Sequence, residues 1–180
     1  MKTALIVIDA QHTFKHTAYW DDADLAAYLD KQQQLIDGCA ENGVPIVQIF
    51  HQSEKGPFSV AGHRRTIDGL RLAPAVTMIK NVHSALAGTG LMAWLTAQGI
   101  NRIIVSGIRT EQCCETTTRQ ASDSGFKVDF VTEATLTFPM THGRSGRAYT
   151  TAEIRERTEL VLEGRFARIV SVAEALAAAA

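Results

Sequence analysis

Cysteine and proline are scarce in this chain, with three cysteines and four prolines among 180 residues. Three is an odd number, and Cys39, Cys113 and Cys114 have no framework spacing, which fits a reducing cytoplasm rather than a disulfide scaffold. Long apolar runs are missing too. No stretch approaches the ~18–20 uninterrupted apolar residues of a membrane span, so none is expected. The chain enters TALIVID directly, without an apolar leader and cleavage site, so no secretory signal is expected either. Neither sign of charge is in excess: 18 Lys and Arg face 19 Asp and Glu, a net charge of -1. That balance offers no electrostatic case for nucleic acid or an anionic membrane as partner. What remains is an ordinary globular composition, 46% hydrophobic, in a length that suits one domain over residues 1–180. No internal repeat or composition shift marks a linker.

Apolar runs alternate with helical periodicity along the whole chain. Residues 3–9 are continuously apolar up to a carboxylate, Asp9, as in a strand covered on both faces. A helix over about 22–42 carries Leu25, Tyr28, Leu29, Gln32, Ile36 and Cys39 on one face and closes at Asn42-Gly43. Val44 to Phe50 reads as a second strand. Residues 51–75, with Gly56-Pro57, Gly62, Gly69 and Pro74, read as a long loop, and such loops are usually functional. Val76 to Ile79 is a short third strand ending at Lys80, followed by a helix at about 89–98. Arg102 to Ser106 is strand four. A helix from near Cys113 to Gly125, a strand over Phe126–Val131 and a loop at about 133–146 come next. A helix at about 147–163, a strand over Phe166–Val170 and a helix from Val172 complete the chain. The alternation predicts a three-layer αβα fold with a six-stranded, mostly parallel, doubly wound sheet.

The chain is organised around NRIIVSGIRTEQCCETTTR at 101–119, a strand, a turn and a helix start with a thiol pair in the join. A helix start offers unpaired N–H groups and partial positive charge, which favours thiolate, so Cys113 or Cys114 is a candidate nucleophile. Asp9, Lys80 and Cys113 all fall at the carboxyl end of a strand, the edge where open parallel sheets bind ligands. Each has an ordinary reading alone: a turn-forming Asp, a solvated Lys, a buried Cys that acts as a small hydrophobe. Together they supply what thiol chemistry needs. Asp9 takes the proton and returns it to a leaving amine, Lys80 keeps Asp9 ionised, and N–H groups at the turn bind an oxyanion.

Four segments carry a resemblance: ALIVIDAQHTF at 4–14, IKNVHSALAGTGL at 79–91, SGIRTEQCCETTTRQASDSGFKV at 106–128 and ARIVSVAEAL at 167–176. On these the chain resembles the isochorismatase-like cysteine hydrolases, which include nicotinamidases and carbamoyl-amine hydrolases. The resemblance implies an Asp9–Lys80–Cys113 triad. In the family's G-x-x-T-x-x-C pattern Gly107, Thr110 and Cys113 hold the named positions, so Cys113 rather than Cys114 is the nucleophile. It also implies a non-proline cis peptide at Ile108–Arg109, with the N–H groups of Arg109 and Cys113 aimed at the substrate oxygen. Gln11 and Phe14 would lie at the pocket's edge.

Departures from the family pattern narrow the reading. Metal-dependent nicotinamidases carry an Asp-x-His segment and a further His after strand two. Here FHQSEKGPFSVAGHRR has His51, Glu54 and His63 and no aspartate. These three are the residues a zinc or iron ion would use; the expectation is solvated loop side chains and no cofactor. Relatives that cleave a vinyl ether typically lack the cysteine, so Cys113 favours amide-type hydrolysis. Arg109 either clamps a substrate carboxylate or pairs with Glu111. Arg64, Arg65 and His142 lie on the two long loops, and His142 is carried as a substrate-binding candidate. Tyr19 and Trp20 are pocket or subunit-contact aromatics.

The expected activity is therefore hydrolysis of a C–N bond in a small amide, carbamoyl or ureido compound. Two rivals stand beside it. One is an enol-ether hydrolase with Asp9 as acid. The other is a non-enzymatic thiol redox or sensing protein using Cys113-Cys114. A small-molecule substrate is the expected partner, and the family resemblance suggests a homo-oligomer, dimer or tetramer.

Overall fold

The computed structural model describes residues 1–179. In chain order the regular elements are β1 (Thr3–Ile8), α1 (Leu25–Glu41), β2 (Ile46–His51), β3 (Val76–Lys80), α2 (Leu91–Ala97) and β4 (Arg102–Ile108). Then follow α3 (Glu115–Asp123), β5 (Lys127–Leu136), β6 (Met140–Thr141), β7 (Ala148–Tyr149), α4 (Thr151–Leu162), β8 (Arg168–Ile169) and α5 (Val172–Ala179). Six strands form one sheet in the order β3-β2-β1-β4-β5-β8, every neighbouring pair parallel. The α/β architecture expected from the alternation is the one observed.

β1 has all six residues buried, which is why its sequence lacks a polar alternation. Leu5 and Val7 face one core with Tyr28, Leu35, Ile36 and Val172, under α1 and α5. Ala4, Ile6 and Ile8 face the other with Leu91, Leu95, Ala121 and Leu162, under α2, α3 and α4. The two-residue side-chain period of a strand thus divides one run between two layers. Gln32, expected on the apolar face of α1, is fully buried there. α4 begins with a capping box, Thr150 accepting from the Glu153 N–H and Glu153 accepting from the Thr150 N–H.

Three boundaries differ from the sequence expectation. β5 continues to Leu136, because Ala134, Thr135 and Leu136 stay buried after the exposed Glu133. The loop expected at 133–146 contains β6, which pairs antiparallel with β7 at Ala148–Tyr149, so the helix expected from about 147 begins at Thr151. The strand expected over 166–170 is reduced to Arg168–Ile169, paired with Asp129–Phe130.

The strand order reverses between β1 and β4, the place where an open parallel sheet leaves a crevice at its carboxyl edge. Two backbone features shape this edge. Asp9, immediately after β1, has φ 50, a left-handed conformation that a short polar side chain tolerates. Gly107 has φ 123, and a Cβ built there would lie 1.9 Å from the Ile8 carbonyl oxygen. β4 therefore approaches β1 more closely than any side chain permits, at the point where the two strands lead into Asp9 and the turn that carries Cys113. Gly107→Ala is expected to cost about 3 kcal/mol or more, since both the contact and the dihedral resist it. Urea unfolding measures it, and a loss below about 1 kcal/mol would contradict this account of the strand contact.

Candidate active site

Asp9 leaves β1, Lys80 ends β3, and Cys113 sits in a wide turn, Thr110–Cys114, between β4 and α3. The Cys114 N–H donates to the Arg109 carbonyl in this turn, so the thiol precedes the regular helix instead of opening it. The Ile108–Arg109 peptide is cis, as the family resemblance implied. The Arg109 N–H donates to no backbone carbonyl among the described residues.

Lys80 reaches across the end of β2 to join the other two. Its Nζ lies 2.7 Å from Asp9 Oδ2. The same nitrogen is 3.1 Å from Cys113 Sγ, 3.2 Å from the Val82 carbonyl oxygen and 3.2 Å from His51 Nδ1. Three N–H bonds thus serve four neighbours, all inside the protein, because Asp9 and Lys80 are each 1% exposed. Both Asp9 oxygens are buried without a hydrogen bond of regular geometry, Oδ2 being held by the ion-pair contact with Lys80.

Burial sets the electrostatics. It pushes the Asp9 carboxyl up, and Lys80 only partly offsets the push. For Lys80 burial works against the charge, but Asp9 and then Cys113 more than reverse it, so its pKa is raised. Burial and the neighbouring Asp9 charge raise the Cys113 thiol to about 12, despite Lys80. This corrects the expectation of a thiolate favoured by a helix start: the end of a backbone dipole is weak beside desolvation and an adjacent carboxylate. Burial, followed by Lys80, lowers His51 to about 4, which keeps its imidazole neutral.

A cavity of about 150 Å³ opens onto the thiol, lined by Asp9, Phe14, Tyr19, His51, Phe58, His83, Arg109, Gln112 and Cys113. Phe14 and Arg109 both line this cavity. Tyr19 is resolved as a cavity aromatic. Ile108 is fully buried behind the wall as the first half of the cis bond. Gln11 is buried behind the cavity, not on its edge; its amide accepts from the His51 N–H at 2.7 Å and donates to the His51 carbonyl at 3.2 Å.

Arg109 is not a free cation: its Nη2 lies 3.0 Å from Glu111 Oε1. His142 is a correction. It lies on the exposed β6–β7 hairpin, bonded to Ser145, and lines a separate cleft against α4. Arg64 hydrogen-bonds Gln52, and Arg65 pairs with Asp68 at 2.5 Å.

The candidate metal set is not assembled. His51 turns inward to Lys80, Glu54 is exposed, and His63 stacks on His16 at 3.7 Å between ring centroids. No group of three or more His, Cys, Asp or Glu among the described residues is arranged to hold a metal ion. Cys114 is fully buried in the apolar core with Ile6, Ile8 and Ala121, where it acts as a small hydrophobe.

Sequence reasoning missed His83, Phe58 and Gln112. His83 Nδ1 is 3.9 Å from Cys113 Sγ. Its signal was its position three residues after Lys80; Phe58 had none, being brought in by a loop of little periodicity. The high thiol pKa gives a direct expectation. At pH 8 the thiolate fraction of Cys113 is on the order of one in ten thousand, so iodoacetamide should label it slowly, with the rate still rising above pH 10. Rapid labelling with a plateau below pH 8 would contradict the burial argument.

The geometry has known counterparts. The family model described as isochorismatase domain matches residues 3–174. Nicotinamidase 3 of Arabidopsis thaliana is 32% identical over 152 residues, covering 75% of this chain and 73% of that protein. A solved hydrolase of the isochorismatase family from Chromobacterium violaceum superposes with a TM-score of 0.88 at 25% identity, covering 99% of this chain and 93% of the other. N-carbamoylsarcosine amidase from Thermoplasma acidophilum shares the fold, with a TM-score of 0.76 at 17% identity over 96% of this chain and 97% of its own. With its sheet and almost its whole length matched, the chain belongs to the isochorismatase family of hydrolases.

Proposed function

We propose that the protein is a cysteine hydrolase that cleaves the C–N bond of a small amide, carbamoyl or ureido compound through a thioester on Cys113. The observation that carries the reading is one ammonium group, Lys80 Nζ, in contact with both Asp9 Oδ2 at 2.7 Å and Cys113 Sγ at 3.1 Å. The amidase activities in the names of two relatives, Nicotinamidase 3 and N-carbamoylsarcosine amidase, agree with it.

A thiol with a pKa of about 12 attacks only as its proton leaves. Asp9 is the acceptor within reach, and its own raised pKa suits a group that must take a proton and give it back. Sulfur bonds to the carbonyl carbon while the S–H proton passes to Asp9. The N–H groups of Arg109 and Cys113 stabilise the oxyanion. Asp9 then donates the proton to the departing nitrogen, the C–N bond breaks, and ammonia or an amine leaves. Water enters, loses a proton to Asp9 and attacks the thioester. The acid is released and the proton returns to sulfur. Lys80 holds its charge throughout, favouring an ionised Asp9 in the resting enzyme and stabilising negative charge as it develops on the sulfur.

Cys113→Ala is expected to abolish ammonia release across a panel of small amides and ureas, whereas Cys114→Ala retains most of it. Mass spectrometry of enzyme quenched during turnover should find an acyl adduct on the peptide containing Cys113. Turnover without any adduct, and unaffected by Cys113→Ala, would assign the reaction to Asp9 acting as an acid on an ether.

A further inference from the structure

We propose that the Arg109–Glu111 pair makes the cavity selective for uncharged substrates: it admits a small neutral amide or ureide and turns away analogues that carry a carboxylate. The substrate class named here rests on the C–N hydrolase reading above. An isolated arginine in a small cavity would invite a carboxylate. This arginine is already matched. Nη2 is paired with Glu111 Oε1 at 3.0 Å, and the two side chains are 9% and 10% exposed. Glu111 is held in turn, its Oε2 accepting from the Thr137 hydroxyl at 2.6 Å. The guanidinium also lies over two rings, 4.9 Å from the centre of Tyr19 and 5.6 Å from that of Phe138.

The remaining charges cancel in the same way. Asp9 and Lys80 form one ion pair, Arg109 and Glu111 the other. Burial keeps His51 neutral, with its pKa lowered to about 4, and keeps Tyr19 a phenol. Phe14, Phe58 and Gln112 carry no charge, and His83 completes the lining. A carboxylate entering this space must lose its water and then take Arg109 from Glu111. That exchange leaves Glu111 buried without its counter-charge, so desolvation opposes it twice. A neutral carbonyl meets no such penalty. The cavity's volume of about 150 Å³ leaves little room for a ligand to bring its own counterion or hydration shell.

Iodoacetamide and iodoacetate form a matched test pair, because both alkylate a thiol and differ in an amide against a carboxylate. Rates at Cys113 are measured by peptide mass spectrometry at pH 9, above the ordinary range of imidazole. N-acetylcysteine gives the intrinsic ratio. In the wild-type protein the preference for iodoacetamide over iodoacetate should exceed that of N-acetylcysteine by at least about tenfold. Glu111→Gln keeps an acceptor for Thr137 but frees the Arg109 charge, and it should remove most of the excess by accelerating iodoacetate. Arg109→Gln leaves Glu111 uncompensated and should enlarge the preference. A wild-type ratio equal to that of N-acetylcysteine, or a ratio indifferent to Glu111→Gln in a variant of unchanged circular dichroism, overturns the proposal. Alkylation needs no amide cleavage. The hydrolase reading fails separately, if no amide or urea releases ammonia in a Cys113-dependent way.

Discussion

The Asp9–Lys80 ion pair, 2.7 Å long and closed to water, is the constraint on which the rest of the site depends. Removing two charges from water costs several kcal/mol each, and their attraction returns that cost only when the geometry is held. The sheet does the holding. Asp9 leaves β1 and Lys80 leaves β3, with β2 between them, and the registers Ile8–Ile49 and His51–Lys80 fix the separation of the strand ends. Gly107 lets β4 press against Ile8, which carries the following turn, with Cys113 in it, toward the pair. The trio is therefore a property of four adjacent strands rather than of any one loop.

The same burial that makes the pair tight makes the thiol a poor acid. A surface cysteine beside a lysine would be partly ionised; here desolvation and the Asp9 charge prevail over Lys80. In the proposed reaction the thiol rests protonated and attacks only as its proton leaves. In that reaction the proton acceptor is the Asp9 carboxylate, whose Oδ1 is buried outside the Lys80 contact. Farther out, the wall continues the same pattern: Arg109 is neutralised by Glu111 as Lys80 is by Asp9, so charged groups line a cavity with no free charge from either pair.

Much of this was legible in residues alone. Apolar runs without polar alternation mark strands covered on both faces, and their carboxyl ends place Asp9, Lys80 and Cys113 on one edge. Their neighbourhood was only conditional, because strand order is a non-local property; β1 beside β4 supplies it. The thiolate expectation failed because periodicity says nothing of how deep a turn is buried. His142 was misplaced because a hairpin of exposed residues leaves no pattern to distinguish it from a loop closing on the site. Phe58 escaped notice because a loop of little periodicity brings it to the cavity, and His83 because its place three residues after Lys80 was not followed beyond the end of β3. His51, read as a metal candidate, turns inward to the lysine at the end of the adjoining strand.

In the proposed reaction Asp9 moves the proton while Lys80 stabilises the sulfur, and substituting Asp9 separates the two roles. In Asp9→Asn the proton acceptor is gone, but Cys113 loses a neighbouring negative charge and keeps Lys80. First-turnover amine release should fall by roughly 10²–10⁴-fold, the usual range for a lost acid–base group. Alkylation of Cys113 by iodoacetamide at pH 8 should become faster in the same preparation. Amide cleavage within a few fold of wild type, or cleavage and alkylation falling together, would contradict the claim.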